Sequence, residues 1–131
     1  MTKRILLTAL ITLISFAGVT HADIFAAGPV YGSFAELSGG QITCRVFNAG
    51  LTPVTINLTQ IWTNTGVLVT LASNTCLGSL NSIQSCAFSA PITGNLAYSC
   101  RVNAQGTDTN ITGVAEIQAG GNILNALPLQ K

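Results

Sequence analysis

Four cysteines, Cys44, Cys76, Cys86 and Cys100, are the residues of this chain best suited to chemistry. Cysteines can ligate zinc, exchange electrons or close disulfides. Zinc is disfavoured, because no C-x-x-C pair exists and the only histidine, His21, lies in a leader expected to be cut away. No reactive-thiol motif is present either. An even count in a small exported domain reads as two disulfides, for which three connectivities are open. Other catalytic groups are scarce. Without a histidine in the processed chain there is no Ser-His or Cys-His activation. A Ser-Lys pair would have to use Lys131, the terminal residue. A carboxylate pair for glycoside hydrolysis would need two of Asp23, Glu36, Asp108 and Glu116 to converge from distant positions. Asp108-Thr109-Asn110 offers oxygens as a calcium loop does, but the glycine and distal glutamate are missing, so a hairpin turn is expected there. The chain is therefore expected to be no enzyme and to carry no metal or cofactor.

The leader is read from the first residues. Lys3 and Arg4 form a positive start, and Ile5 to Val19 is apolar apart from Thr8, Thr12 and Ser15. Thr20-His21-Ala22 then places small residues where signal peptidase reads, so residues 1–22 are expected to be a secretory signal peptide. The apolar run, about 15 residues, falls short of the roughly 20 that a spanning helix needs. Asp23–Lys131 is then one exported domain, periplasmic or extracellular, with no membrane span.

Charged residues make up only 7% of the chain. The processed domain would hold Arg45, Arg101 and Lys131 against four acids, which leaves little field to steer nucleic acid or anionic lipid. The polar surface must be built from Thr, Asn, Ser and Gln. Arg45 and Arg101 each follow a cysteine and point outward by parity, where they either solubilise the surface or anchor a partner's carboxylate or phosphate. Trp62 and Tyr31 are candidates for stacking on sugars, although a lone Trp in a small β domain is expected in the core. Asn57-Leu58-Thr59 and Asn110-Ile111-Thr112 match the glycosylation sequon.

The elements that position these residues are strands. In Gln41–Asn48, Ile42, Cys44 and Val46 share a face; in Leu96–Asn103, Leu96, Tyr98, Cys100 and Val102 do. Both cysteines face inward, so Cys44 is expected to meet Cys100 across a core. Cys76 and Cys86, with Gly, Ser and Asn between them, are expected to close a loop. On the chain-entropy account the long bridge contributes about 4 kcal/mol and the short one about 3 kcal/mol. Val54, Ile56 and Leu58 alternate with Thr55, Asn57 and Thr59. Val67–Leu71 is a β-branched run, Cys86 and Phe88 share a face, and Ile111, Gly113, Ala115 and Ile117 share another. Ile123–Leu129 is a weaker strand, and residues 73–85 form the longest expected loop. Turn signals stand between them at Gly39-Gly40, Asn48-Ala49-Gly50, Thr63–Gly66, Gly94-Asn95, Gly106-Thr107-Asp108 and Gly120-Gly121-Asn122. Short strands without a 3.6-residue period predict an all-β sandwich or barrel, and one detail favours an immunoglobulin-like antiparallel β-sandwich. Tyr98, two residues before Cys100, has the spacing of a tyrosine corner, and Trp62 lies between the two core cysteines.

The stretch Asn48-Ala49-Gly50-Leu51-Thr52-Pro53-Val54-Thr55-Ile56, followed by Cys76, Gly78, Leu80, Ser85, Cys86, Phe88, Pro91 and Gly94, resembles the immunoglobulin-like modules of bacterial surface and exported proteins. These are the ASPM/SPD-2/Hydin and choice-of-anchor types, and the layout looks like small exported proteins of Gram-negative bacteria. The resemblance spans about Cys44 to Cys100. It departs where Asn81-Ser82-Ile83-Gln84 replaces the usual Pro-Gly, and the Cys44 and Cys100 pair is additional to it. It implies an immunoglobulin-like fold, a Cys76–Cys86 bridge and no catalytic residues.

Two functions are expected from this reading. The first is a non-catalytic interaction module that binds a protein or glycan at the cell envelope. The alternative is a structural subunit that polymerises by strand exchange, with the apolar Asp23–Ser38 segment (Ile24, Phe25, Val30, Tyr31, Phe34) as a docked strand or as the donor.

Overall fold

A computed structural model of the chain describes residues 21–32, 39–106 and 110–131. Most of the expected leader, Phe34, Glu36 and the 107–109 part of the expected turn lie outside the described residues.

The described residues form nine strands: β1 (His21–Tyr31), β2 (Gln41–Asn48), β3 (Val54–Thr63), β4 (Ser73–Asn74), β5 (Gly78–Leu80), β6 (Ser85–Pro91), β7 (Ala97–Gly106), β8 (Ile111–Ala119) and β9 (Asn122–Pro128). They build two antiparallel sheets, β1-β7-β3-β5 and β4-β6-β2-β8-β9, packed as a sandwich. The period-two alternation of the longer strands produces this arrangement, because each strand turns one set of apolar side chains to the other sheet. Ile42, Cys44 and Val46 of β2, Phe88 and Ala90 of β6, and Ala115 and Ile117 of β8 meet Phe25, Val30, Ile56, Ile61, Tyr98, Cys100 and Val102 from the opposite sheet.

Both expected disulfides form, the first as the inward facing of its cysteines predicts and the second as a loop closure. Cys44–Cys100 joins β2 to β7 through the core, with Cα atoms 6.0 Å apart. Cys76–Cys86 ties the β4–β5 connection to β6, with Cα atoms 4.9 Å apart. Two disulfides indicate an oxidising, extracytoplasmic setting. Tyr98 makes the expected corner: fully buried, it donates from Oη to the Thr93 carbonyl at 2.8 Å and accepts from the Thr93 amide at 2.8 Å.

The edges of the sandwich depart from the immunoglobulin pattern. There the strand beside the one that carries the second core cysteine is the next in sequence. Here β1, the first strand, pairs with β7, while β8 crosses to pair with β2. The chain end then ties the sheets together. Gln130 exchanges two 2.8 Å backbone hydrogen bonds with Ala26 of β1. Leu129 donates to the Gly113 carbonyl and buries its side chain over Gly113, where a Cβ would collide with the Arg45 carbonyl. Lys131 Nζ meets Asp23 Oδ2 at 2.8 Å.

Two expected elements are corrected. Val67–Leu71 is no strand of a sheet: Leu68 makes a single bridge to Trp62, and the Val69 amide donates to the Ile61 carbonyl. The run begins right after the 63–66 turn and finds only the end of β3 to pair with. Residues 73–85 are not one long loop, since β4 and β5 lie within them. Strands of two and three residues are too short to print an alternation on the sequence.

Candidate functional site

The four candidate binding residues divide between the two outer faces. Arg45 lies on the five-stranded sheet, opposite Val114 of β8 and Ala87 of β6. Its Nε meets Glu116 Oε2 at 3.0 Å, and Gln118 Nε2 donates to the same oxygen at 2.7 Å. Gln41 in turn donates to Gln118 at 3.3 Å. Glu116 is consequently buried although it faces outward, and the Arg45 charge is partly spent on it. A cleft of about 240 Å³ beside Arg45 is lined by Thr75, Ser85, Cys86 and Ala87.

Tyr31, Trp62 and Arg101 come together on the outer face of the four-stranded sheet. This placement follows from register. Tyr98, Cys100 and Val102 of β7 face the core, so Ala97, Ser99, Arg101 and Asn103 lie on the outer side, where Ala97 is nevertheless buried. Across β7, Tyr31 pairs with Ala97, Ser99 with Trp62, Arg101 with Ala26 and Gln60, and Asn103 with Ile24 and Leu58. Trp62 is therefore not a core residue. Its indole is half-buried on the outer face and donates from Nε1 to Gln60 Oε1 at 3.2 Å.

A β-bulge explains the correction. Val54 and Ile56 face the core, but Asn57 is an extra residue without a register partner on β7, its side chain donating to Gln105 Oε1 at 3.1 Å. The bulge reverses the phase of β3. Beyond it Thr59, Ile61 and Thr63 point inward and are buried, while Leu58, Gln60 and Trp62 point out. A second bulge, at the cis Gly28–Pro29 peptide of β1, shifts the phase from Ala27 to Val30 and turns Tyr31 outward, 57% exposed. Gly28 is required there: its φ is +120°, and a Cβ would sit 2.7 Å from both Ser99 Oγ and the Tyr98 carbonyl.

The resulting surface has two aromatic side chains beside a floor of small residues, Ala26, Gly28 and Ser99, with Ala97 buried and Ile24 and Leu68 about half exposed on the same side. Arg101 is its one charged side chain, half-buried and without an ion pair or side-chain hydrogen bond among the described residues. A cleft of about 210 Å³ opens at the β1 edge of this floor, between Gly28 and Ser99 on one side and Leu127, Pro128 and Gln130 on the other.

No known protein family, curated protein or solved structure matches this chain. The site therefore stands on its own geometry. Among the described residues no cluster of His, Cys, Asp or Glu could hold a metal ion, and no helix is long and apolar enough to cross a membrane. Sequence reasoning named Tyr31, Trp62 and Arg101 separately and missed Gln60 and Ser99, which lie between them. No signal in the local pattern joins these positions, because the register of three strands remote in sequence brings them together.

Proposed function

We propose that this chain is an exported, non-catalytic interaction module that binds a partner at the cell surface or in the periplasm through the outer face of its four-stranded sheet. The observation that carries this reading is the convergence of Tyr31, Trp62 and Arg101, from three separate segments, on one surface. Two β-bulges aim the aromatic residues away from the core, where a small domain would gain most from burying them. Arg101, without an ion pair among the described residues, lies beside them. Aromatic residues and arginine are the side chains most enriched at binding surfaces. The leader-like start, the two disulfides and the resemblance to immunoglobulin-like modules of the ASPM/SPD-2/Hydin and choice-of-anchor types support export. The scarcity of ionisable side chains supports a role without catalysis. A built-in β1, docked on β7 of its own chain, supports a module that works as a single copy.

Co-sedimentation with isolated cell envelopes tests the proposal. The unreduced domain should pellet with envelopes, and the Trp62→Ala/Arg101→Gln double variant should lose most of this binding. Arg45→Gln, on the opposite sheet, should retain it. Equal retention by all three proteins would contradict the assignment of the face.

A further inference from the structure

We propose that the ligand of this face is an acidic carbohydrate, a glycan bearing uronic-type carboxylates, with a sugar ring stacked on Trp62 and a carboxylate held by Arg101. The inference rests on the module reading and gives it a ligand class. Three features of the face carry it.

The first is the chemistry of the aromatic residues. Trp62 is fixed by its hydrogen bond to Gln60 Oε1, so the indole is a platform of set orientation. A pyranose ring presents an apolar C–H face that packs on such a platform, while its hydroxyls need neutral donors and acceptors around the rim. Gln60 and Ser99, beside Trp62 in the register, are groups of that kind.

The second is shape. Tyr31 and Trp62 stand on the two strands that flank β7, one register step apart, with Ala97 and Ser99 between them. Two strand spacings across and one step along put their backbones about 12 Å apart. The open floor of Ala26, Gly28 and Ser99 is made of small residues, with Ala97 buried and Ile24 and Leu68 about half exposed on the same side. A chain of flat rings can lie from one aromatic residue to the other across small residues of this kind. The cleft beside Gly28 and Ser99 extends the same floor toward Gln130, which gives an oligomer room beyond the two aromatic residues.

The third is charge. Arg101 lies one register step from the Trp62–Ser99 pair, opposite Gln60, and its guanidinium has no carboxylate among the described residues. Arginine binds planar carboxylates through two parallel hydrogen bonds and stacks on flat groups as well. Arg45 on the other sheet has its acid, Glu116, in place; Arg101 takes its acid from the ligand.

Trp62 is the only tryptophan of the chain, so its fluorescence reports on this face alone. The unreduced domain is titrated with oligogalacturonate, with the same oligomer methyl-esterified, and with a malto-oligosaccharide. The expected result is a saturable change in Trp62 fluorescence with oligogalacturonate, weakened at least tenfold by esterification and at least tenfold by Arg101→Gln. Arg45→Gln should leave the affinity unchanged. Calorimetry on Trp62→Ala, which lacks the reporter, should show binding lost while circular dichroism shows the sheets intact. Absence of binding to all three oligomers overturns the proposal. Equal binding of acid and ester, or an Arg101→Gln variant of undiminished affinity, overturns it too. If envelope co-sedimentation still depends on Trp62 and Arg101 when no oligomer binds, the ligand is no acidic glycan but the module reading stands. If neither measurement depends on the face, both fall.

Discussion

Asn48 shows how much of this molecule one side chain can organise. It is fully buried where β2 ends. Its Nδ2 donates to the carbonyls of Thr52 at 2.9 Å and Leu80 at 3.1 Å, and its Oδ1 accepts from the Gly50 amide at 3.0 Å. Its own backbone exchanges hydrogen bonds with Ile83 and Gln84. The side chain thus joins the 48–53 turn to the β5–β6 turn, and Asn48→Ala should cost about 2–3 kcal/mol by urea denaturation, because it strands buried polar groups. Tyr98→Phe removes one hydroxyl that both donates to and accepts from Thr93 and should cost about 1–3 kcal/mol in the same assay. The opposite sign is expected at Ile83. It is 64% exposed and holds φ at +58°, a left-handed conformation that a β-branched side chain resists. Ile83→Asn relieves that strain at little loss of burial and should stabilise the domain by about 1 kcal/mol. The Asp23–Lys131 ion pair is surface-exposed on its lysine side, so Lys131→Ala should cost less than about 1 kcal/mol.

At the scale of the element, the closure of the sandwich rests on β1 and the last three residues. β1 gives Phe25, Ala27 and Val30 to the core and pairs with β7 along nearly its whole length. Gln130 holds its outer edge, and Leu129 anchors the tail to Gly113 of β8. Removing residues 129–131 deletes one buried leucine and two backbone hydrogen bonds to Ala26, and should cost about 3–5 kcal/mol. Amide exchange at Ala26 should accelerate with it; protection unchanged at that amide would contradict the role given to the tail. The strands that print a clean alternation, β2, β7 and β8, were legible in the sequence, and with them the Cys44–Cys100 disulfide, since both cysteines fall on inward positions, while the Cys76–Cys86 bridge was legible from its short loop. The placement of Trp62 was not. Continuing the alternation of Val54, Ile56 and Leu58 carries Trp62 into the core, and only Asn57, without a register partner, reverses it. A bulge depends on the register with β7, which no window of β3 contains. Tyr31 was hidden for the same reason behind the Gly28–Pro29 bulge. β4 and β5 were missed because two or three residues hold too little pattern.

The whole molecule has few charges, two cross-links and a core that must stabilise a small domain. Net stabilities of such domains are about 5–15 kcal/mol, so the contribution of the Cys44–Cys100 bridge, about 4 kcal/mol, is a large share. Polar uncharged side chains cover much of the surface, and its two outer faces differ. On the five-stranded sheet Arg45, Glu116, Gln118 and Gln41 satisfy one another. On the four-stranded sheet Arg101 has no such partner among the described residues, which is why binding is proposed there. A self-contained chain is the condition for this assignment, because β1 forms the edge of that sheet and completes the floor between Tyr31 and Trp62. Strand exchange would instead hand β1 to a neighbour and make the face a shared surface. Deleting residues 23–38 should unfold the domain, since the core loses Phe25, Ala27 and Val30; loss of polymers with the fold intact would favour the exchanging subunit. The most direct test of a self-contained module is the native mass of the unreduced, processed protein, by size-exclusion chromatography with light scattering. A single species at the monomer mass, unchanged on dilution, is the predicted result. A ladder of species or filament-sized material that persists on dilution would contradict it.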